Sequence, residues 1–570
     1  MTTFIEERIV PIPAESSLLE PQALRSWLQD LPWVDTPRVA RCLREQLCQL
    51  AERPLVPRQR ALLLQCYQPH LLMLTATLEE SLFDASLPLP PTEAEKAQLL
   101  VDLCELMARN YGLLADIWAS APTSADAVLP ILHHALDWLA RLGLHRAQIY
   151  APPGAAFWKT VYHLFQLIER HELLLHPAAE PVREPLHVLF LFAVCNPPRF
   201  RPRELRQIDR LLRRFGRSLI IHPDPRHRDR SAGFAFDYLD PTPPRPRKRL
   251  PELKRPRADR RFLFTQPVIR QLLDYVKTEE PSGVETLPFC QSRRLALRLA
   301  HSLGAPKQRR WLRRRQSRNC RAIVGLEELV VFLRKHQDTD LEALMRTAAT
   351  LENPEPGFSL ETPAGAGEKD EARYSEVDAL HILDTNKAQI RPEDIWGNPV
   401  ATSPETVMEF SAQLADVSAR GYRLHWHGSA CPRLRPGEIL SLVWEDGEPE
   451  IATIRWLHAQ GERLISLGVE LLSFSAQLVV ASRFVPDIAE DGPEPQYSWA
   501  VLTPAQPAIG RDTCLLVPAR TWCHGQWVDI YYTRHRKATF NLRQRLDSSP
   551  AYDLFTLEGI KLDAAADTRQ

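Results

Sequence analysis

The sequence predicts an α+β multidomain protein with a helical N-terminal domain, an antiparallel β-barrel that carries an insertion, and a small C-terminal β module. Three observations predict this class. Apolar residues recur at three- to four-residue spacing from residue 20 to about 180. Short apolar segments divided by turn residues follow residue 410. Stretches rich in proline, glycine or charge, near 222–261 and 338–385, separate these regions.

Composition limits the class of protein. The 570 residues are 44% hydrophobic and 25% charged, as in ordinary globular proteins. Lys+Arg and Asp+Glu both number 71, which disfavours a protein that coats nucleic acid through overall positive charge. The ten cysteines include no CxxC pair, which disfavours a zinc ribbon. The first residues, "MTTFIEERIVPIP", do not resemble a signal peptide, and the longest apolar run, "LHVLFLFAVC", is about half a membrane span. We therefore expect a soluble, cytoplasmic protein.

The predicted helical domain spans residues 1–220. Segments such as "PQALRSWLQDL" and "TEAEKAQLLVDLCELMARNYGLLADIW" carry their leucines on one helical face. Several begin with proline, and Thr92 to Glu95 has the Thr-x-x-Glu spacing of a helix start. No fixed repeat length is present, which indicates an irregular helical domain rather than a solenoid.

Two connecting regions follow. Residues 221–262 are rich in proline and arginine, which predicts a linker or long surface loop, with a basic docking segment as the alternative. Residues 263–305 read as a helical connector that ends near Gly304 and Pro306. Three leucines share one face of its last helix: Leu295, Leu299 and Leu303.

The predicted barrel spans residues 306–490, with an insertion over about 338–395. Its strands are "GYRLHW", "EILSLVWE", "EIATIRWLHA" and "LISLGVELLS", separated by Pro-Gly, Asp-Gly and glycine turns. Four strands at close spacing indicate an antiparallel meander or small barrel. Residues 491–570 contain further short strands, which predict a second, smaller β module.

The most unusual local feature is "QRRWLRRRQSR", residues 308–318, in which six of eleven residues are arginine. Since the whole chain is electrically balanced, this positive charge is local. The run begins after a predicted helix and leads into the β-like "CRAIVGL", so we expect an exposed connector. Nucleic acid, a membrane surface, a protein and a small phosphate ligand are all compatible with it.

A second pattern lies just before the first predicted strand, in "LADVSARGYRLHW". Asp416, Ser418 and Gly421 form the spacing D-x-S-x-x-G. Alone it is weak, because these residue types are common in β-turns. It gains specificity from the upstream arginine run and the following meander that ends "LGVELL".

The combination resembles the PilZ domain, the bacterial receptor module for cyclic di-GMP. The matching elements are "RRWLR", with Arg309, Arg310 and Arg313, and "DVSARG". Arg310 with Arg314 is the next register of the arginine motif. The resemblance covers residues 308 to 485 and implies a ligand site with seven residues: Arg309, Arg310, Arg313, Arg314, Asp416, Ser418 and Gly421. Because Arg313 and Asp416 are about a hundred residues apart, the insertion must loop out of the barrel.

The residue types suit such a ligand. Arginine can hold phosphate oxygens through two parallel hydrogen bonds, and it can bind or stack on guanine. Asp416 could accept from the guanine N1–H and N2–H₂ groups. Ser418 would add a hydroxyl or backbone contact, and Gly421 would permit close approach or positive φ.

Other constellations are weaker. His425 and His427 share one face of a strand near Cys431, but a metal site would need further ligands, so we expect a strand edge with Leu424 and Trp426 in the core. The basic amphipathic helix at 201–218 is expected to be solvated surface, with a docking surface as the alternative. The chain has no G-x-S-x-G, Walker A or H-E-x-x-H motif, so we expect no enzyme.

The resemblance therefore implies a cyclic di-GMP effector without another cofactor, metal or membrane insertion. Such an effector would convert binding into altered protein–protein interaction through the helical domain, with motility, pili, biofilm or exopolysaccharide as possible outputs. One alternative is a PilZ-like scaffold that binds no nucleotide. A second alternative is a nucleic-acid binder that uses the basic clusters at 245–261 and 308–318.

Overall fold

The computed structural model places much of the chain in two compact units, one of residues 1–308 with 458–463 and the other of residues 309–457 with 464–570. The structure describes residues 17–121, 123–227, 230–247, 258–277, 288–304, 312–337, 343, 407–427, 430–445, 448–461, 463–483, 497–533 and 536–559.

The helical domain is confirmed. Amphipathic segments form eight helices that bury their leucine faces: α1 (Pro21–Gln29), α2 (Thr36–Glu52), α3 (Pro57–Leu82), α4 (Pro91–Ser120), α5 (Ala125–Gln148), α6 (Ala155–Arg170), α7 (Glu180–Val194) and α8 (Pro202–Phe215). Proline stands in the first turn of most of them, where its missing N–H costs no helical hydrogen bond. The basic helix α8 is only partly free surface, because Arg213 forms ion pairs with Asp137, Asp209 and Glu184.

The segment predicted as a linker or long surface loop, 221–262, instead contains strands. The strands β1 (Ile220–His222), β4 (Phe234–Asp237), β5 (Asp240–Pro246) and β6 (Arg260–Phe264) form an antiparallel sheet in the order β1-β6-β4-β5. A short hairpin, β2 (Arg226–His227) with β3 (Arg230–Ser231), lies beside them in sequence. The four prolines of "DPTPPRP" lie in β5, at the edge of the sheet, where a strand can lack N–H donors.

The region predicted as a helical connector is helical after β6 in the residues that the structure describes. It contains α9 (Gln266–Lys277) and α10 (Pro288–Leu303). Leu295, Leu299 and Leu303 are fully or almost fully buried, as their spacing predicts.

The first barrel is closed by six strands, and one helix, α11 (Leu326–His336), follows the first of them. The strands are β7 (Arg314–Val324), β8 (Phe410–Ser418), β9 (Gly421–His427), β10 (Ile439–Val443), β11 (Glu450–Gln460) and β12 (Leu464–Ser473). The order around the barrel is β10-β11-β12-β9-β8-β7. Nearly all of the predicted insertion, 338–395, lies outside the described residues. α11 and β8 are the described elements on either side of it.

The arginine run is not wholly a connector. Its second half forms the start of β7, with Arg314 opposite Val417 and Arg315 opposite Asp416 on β8. The side chains from Arg314 to Asn319 are exposed, so the strand keeps its charges in water while its backbone pairs with β8. The sequence does not reveal this partner because it is about a hundred residues away.

The C-terminal module is a second closed barrel of six strands: β13 (Gln477–Arg483), β14 (Tyr497–Thr503), β15 (Cys514–Pro518), β16 (Trp527–Thr533), β17 (Arg536–Ser548) and β18 (Tyr552–Gly559). It begins at β13 and not at residue 491, and it has as many strands as the first barrel. β13 pairs with β14 and β16, which assigns it to this barrel. Sequence patterning shows that a strand exists but not which barrel its edges join.

The two barrels share one connectivity. Taken in chain order, the first strand pairs with the second and the fourth, the third pairs with the sixth, and the fifth lies between the fourth and the sixth. The six strands of the second barrel therefore repeat the arrangement of the first.

Helix α11 packs between the two barrels and joins their cores. Leu329 and Leu333 lie in one apolar cluster with Leu472 of the first barrel and Leu478 of the second. Since all four side chains are buried, this shared core fixes the two barrels against each other.

Within the described residues, no helix is both long and apolar enough to cross a membrane.

Candidate functional site

Two residues that the sequence predicts to meet are in contact. The Nη1 of Arg313 donates to the Oδ1 of Asp416 at 2.9 Å, across 103 residues of chain. Arg313 precedes β7 directly, and Asp416 lies near the end of β8, which pairs with β7. The barrel therefore unites the arginine run and the D-x-S-x-x-G pattern.

A bulge in β8 determines where Asp416 points. Leu414 lies opposite Leu424 on β9, but the next paired residue is Asp416, opposite Arg423, so Ala415 is an extra residue. Residues one apart on a regular strand point to opposite faces. Because of the bulge, Asp416 does not point into the barrel core as Leu414 does. It points to the outer face, where Arg423 lies. Without it, the carboxylate would be directed into the core.

Arg423 is a site residue that the sequence interpretation missed. Its Nε lies 2.8 Å from the Oδ2 of Asp416, so two arginines flank one carboxylate. Asp416 is only 6% exposed, whereas the Arg313 and Arg423 side chains are 35% and 39% exposed. The alternation of "GYRLHWH", with Leu424 and Trp426 buried, places Arg423 on the outer face. This alternation is the sequence signal that could have identified Arg423.

Ser418 and Gly421 form the ends of the hairpin between β8 and β9. Ser418 pairs with Gly421, and its hydroxyl donates to the Gly421 carbonyl at 2.9 Å, so Ala419 and Arg420 form the turn. Gly421 is required by close approach rather than by positive φ. A Cβ at this position would lie 2.1 Å from the carbonyl oxygen of Val469 on β12.

More arginines surround this pair. Arg314, Arg315 and Arg318 are exposed on β7, and the guanidinium of Arg318 lies over the Trp444 ring at 5.1 Å. Trp444 was also missed, since it follows β10 in sequence and reaches Arg318 only in the closed barrel. An arginine over an indole ring can still present N–H donors to an anion. Arg309 and Arg310, the other two predicted arginines, lie outside the described residues.

The histidines of β9 line the outer face beyond Arg423. The ring of His425 lies 3.0 Å from the Ser466 hydroxyl, and His427 is exposed. Partial burial, with smaller contributions from Arg423 and His427, lowers the pKa of His425. Leu424 and Trp426 are fully buried, as predicted. Among the described residues, no group of three or more His, Cys, Asp and Glu side chains could hold a metal ion.

A second charge cluster surrounds Glu470 on β12, two residues beyond Gly468. Glu470 is opposite Gly421, and Gly468 is opposite Arg423. Three arginines approach Glu470: Arg455 at 2.9 Å, Arg511 at 3.0 Å and Arg420 at 3.7 Å. Arg455 also contacts Asp547 of the second barrel at 2.6 Å, and Asp547 accepts a hydrogen bond from the Tyr552 hydroxyl.

The chain matches two family models. Residues 22–226 match the N-terminal domain of the cyclic-di-GMP receptor FimW, and residues 234–477 match its middle PilZ domain. The two matches cover more than three quarters of the sequence, and the second one contains the whole first barrel. Residues 234–477 belong to the PilZ domain family.

A curated relative agrees with this assignment. This PilZ-domain protein is 23% identical over 566 residues to the cyclic-di-GMP receptor FimW of Pseudomonas aeruginosa strain PAO1, with 94% of this chain and 91% of the relative covered. No solved structure matches the chain. The PilZ match ends at residue 477, which is also the first residue of β13, the first strand of the second barrel.

The second barrel repeats the PilZ connectivity but not the predicted site. Its first strand follows "SFSA", which holds no arginine, and the segment from β14 to β15 has no D-x-S-x-x-G. The predicted ligand chemistry is therefore confined to the first barrel of this PilZ protein.

Proposed function

We propose that this chain is a receptor for cyclic di-GMP that acts in the cytoplasm and has no enzymatic activity of its own. Its first barrel would bind the ligand through Arg309, Arg310, Arg313, Arg314, Asp416, Ser418 and Gly421. The observation that carries the proposal is the contact between Arg313 and Asp416, which brings the two halves of the motif together. The name of the P. aeruginosa relative gives independent support.

The charges fit a dianionic ligand. Among the described residues around the site, five guanidinium groups contact three carboxylates: the guanidinium groups of Arg313, Arg420, Arg423, Arg455 and Arg511 and the carboxylates of Asp416, Glu470 and Asp547. This excess of two positive charges equals the charge of two phosphodiesters. Arg314, Arg315 and Arg318 add to it from β7.

Binding requires an exchange at Asp416. In the structure its Oδ1 accepts from Arg313, so a guanine edge must displace that donor. The freed guanidinium can then hold a phosphate, while Arg423 stays beside the carboxylate. A micromolar ligand needs about 8 kcal/mol, and three or four bidentate contacts of ~1–3 kcal/mol each reach that range.

Calorimetric titration with cyclic di-GMP tests the proposal. We expect micromolar binding by the parent, with at least tenfold weaker binding by Arg313→Ala and by Asp416→Asn. Arg321→Ala is the matched control, because Arg321 lies on β7, the strand that Arg313 directly precedes, and forms an ion pair of 2.9 Å with Glu409, which is outside the motif. Binding by the control should equal that of the parent.

The alternative is a PilZ scaffold that binds no nucleotide, and the pairing of Arg313 with Asp416 is the observation in its favour, because it satisfies both groups without a ligand. Absence of heat with the parent at tens of micromolar ligand would favour this scaffold. A nucleic-acid binder would instead show salt-dependent association with DNA or RNA.

The output is proposed to be an altered protein–protein interaction through the helical domain, in the control of pili, motility, biofilm or exopolysaccharide. A pull-down of partners by the parent and by Arg313→Ala, with and without cyclic di-GMP, tests this part. A partner whose recovery depends on the ligand only in the parent would support it.

A further inference from the structure

The turn between Ser418 and Gly421 carries an arginine that the proposed ligand set does not include. Arg420 is the second residue of this turn, and its side chain is 38% exposed. It reaches Glu470 at 3.7 Å, the longest of the three arginine contacts to that carboxylate. Its Nε is buried and has no accepting atom in hydrogen-bonding geometry among the described residues.

Glu470 does not depend on Arg420. Arg455 and Arg511 approach its carboxylate at 2.9 and 3.0 Å, and each carries a full positive charge. Burial alone would lower the pKa of Arg455, but Asp547, Tyr552 and Glu470 raise it overall, so this guanidinium is firmly charged. Arg420 is therefore the surplus cation of the cluster, and it can leave without exposing an unpaired carboxylate.

Arg420 also lies on the correct side of the barrel. Glu470 and Gly468 are two residues apart on β12, so they point to the same face, and Gly468 is opposite Arg423. The Glu470 cluster is thus about 7 Å along the sheet from the pair of Asp416 and Arg423. A cyclic dinucleotide held at Asp416 would bring its phosphates within reach of a long arginine side chain at this distance.

The same carboxylate joins the site to the second barrel. Arg511 belongs to the segment between β14 and β15, and only 8% of its side chain is exposed. Arg455 continues the connection to Asp547 on β17. A change in the charges around Glu470 therefore acts directly on two residues of the second barrel.

We propose that Arg420 is a further phosphate-binding residue of this site. When the Arg420 side chain leaves Glu470, Glu470 transmits this change to the second barrel through Arg511. The inference rests on the proposed function, since it assumes that cyclic di-GMP binds at Asp416. When Arg420 moves to the phosphate, Glu470 keeps only Arg455 and Arg511, and its attraction for Arg511 is no longer shared. Ligand binding then favours the arrangement in which the second barrel is held more firmly at this point.

Two variants with opposite expected effects test the first part. Arg420→Ala should weaken cyclic di-GMP binding about tenfold, because one charge-assisted phosphate contact is lost. Glu470→Gln should strengthen it severalfold, because Arg420 is no longer held by a carboxylate before the ligand arrives. A purely structural role for the pair predicts weaker binding or no change in both variants, which would overturn the inference. Arg321→Ala is again the control, and Arg420→Lys, which keeps the charge, should bind with intermediate affinity.

Hydrogen exchange of the intact protein tests the second part. Addition of cyclic di-GMP should slow amide exchange in residues 504–513, which include Arg511, in the parent but not in Arg420→Ala held at saturating ligand. Equal slowing in both proteins would overturn the transmission through Arg420. A parent that binds no cyclic di-GMP refutes the proposed function itself, whereas a parent that binds and an Arg420→Ala variant that binds equally well refutes only this inference.

Discussion

Arg313 and Asp416, separated by 103 residues, meet at 2.9 Å on the outer face of the first barrel. The contact depends on the pairing of β7 with β8 and on the bulge that turns Asp416 outward. It makes the barrel itself the element that assembles the candidate site.

The pair should contribute modestly to stability. A double-mutant cycle with Arg313→Ala and Asp416→Asn, measured by urea unfolding, should give a coupling free energy of about 0.5–1 kcal/mol, because the arginine is about one-third exposed. The coupling should fall as salt is raised to 1 M. A coupling above about 3 kcal/mol, insensitive to salt, would contradict this view of a partly solvated pair that a ligand can displace.

Gly421→Ala should destabilise the first barrel by several kcal/mol. The added Cβ would lie 2.1 Å from the Val469 carbonyl oxygen, so β9 and β12 would have to separate. Gly112→Ala is the matched control, because a Cβ there meets nothing within 4 Å and Gly112 lies inside α4. The control should be stabilised by about 0.5–1 kcal/mol. Thermal and urea unfolding measure both; similar shifts in the two variants would be inconsistent with the close approach.

The helical domain should lose stability in mild acid through His187. Burial lowers the pKa of this side chain from 6.5 to about 4, against the opposing effect of its hydrogen bond to the Gly216 carbonyl. Between these values the unfolded chain binds a proton that the folded chain does not, so stability falls as pH decreases from 6.5 to 4. The loss should reach about 3 kcal/mol.

His187→Asn isolates this effect, because it removes the titrating ring. Its free energy of unfolding should change less than that of the parent across this pH range. His427→Asn, at an exposed position, should follow the parent curve. Parallel curves for the parent and His187→Asn would show that His187 does not cause the acid sensitivity.

Arg60 should be essential to the helical domain although its hydrogen bonds within the described residues go to carbonyl and amide oxygens and not to a carboxylate. It is 4% exposed and donates to the Leu50 and Arg53 carbonyls at the end of α2 and to the Asn110 side chain of α4. Arg60→Ala leaves these acceptors without donors in a buried site, which should cost about 2–4 kcal/mol. Arg58→Ala, two residues earlier and exposed, should change the free energy of unfolding by less than about 0.5 kcal/mol.

Local patterns predicted much of the fold. Leucine spacing identified the helices of the N-terminal domain, and alternation identified β9 to β12, including the inward Leu424 and Trp426. The proline-rich β5 was missed because proline is unfavourable inside a sheet but tolerated in an edge strand, and composition does not show where in a sheet a strand lies. The start of the second barrel was misplaced because β13 follows β12 after three residues and is similarly apolar.

The sequence by itself determined which chemical groups are present: the arginine run, the D-x-S-x-x-G spacing and the strands around them. Tertiary structure decided how Arg313 reaches Asp416, that a bulge adds Arg423 to the pair, and that Arg420, Glu470 and Arg511 connect the candidate site to a second barrel. The physical reason is that side-chain chemistry is local to each residue. Distances between charges depend instead on strand pairing, which brings together residues that the chain keeps far apart.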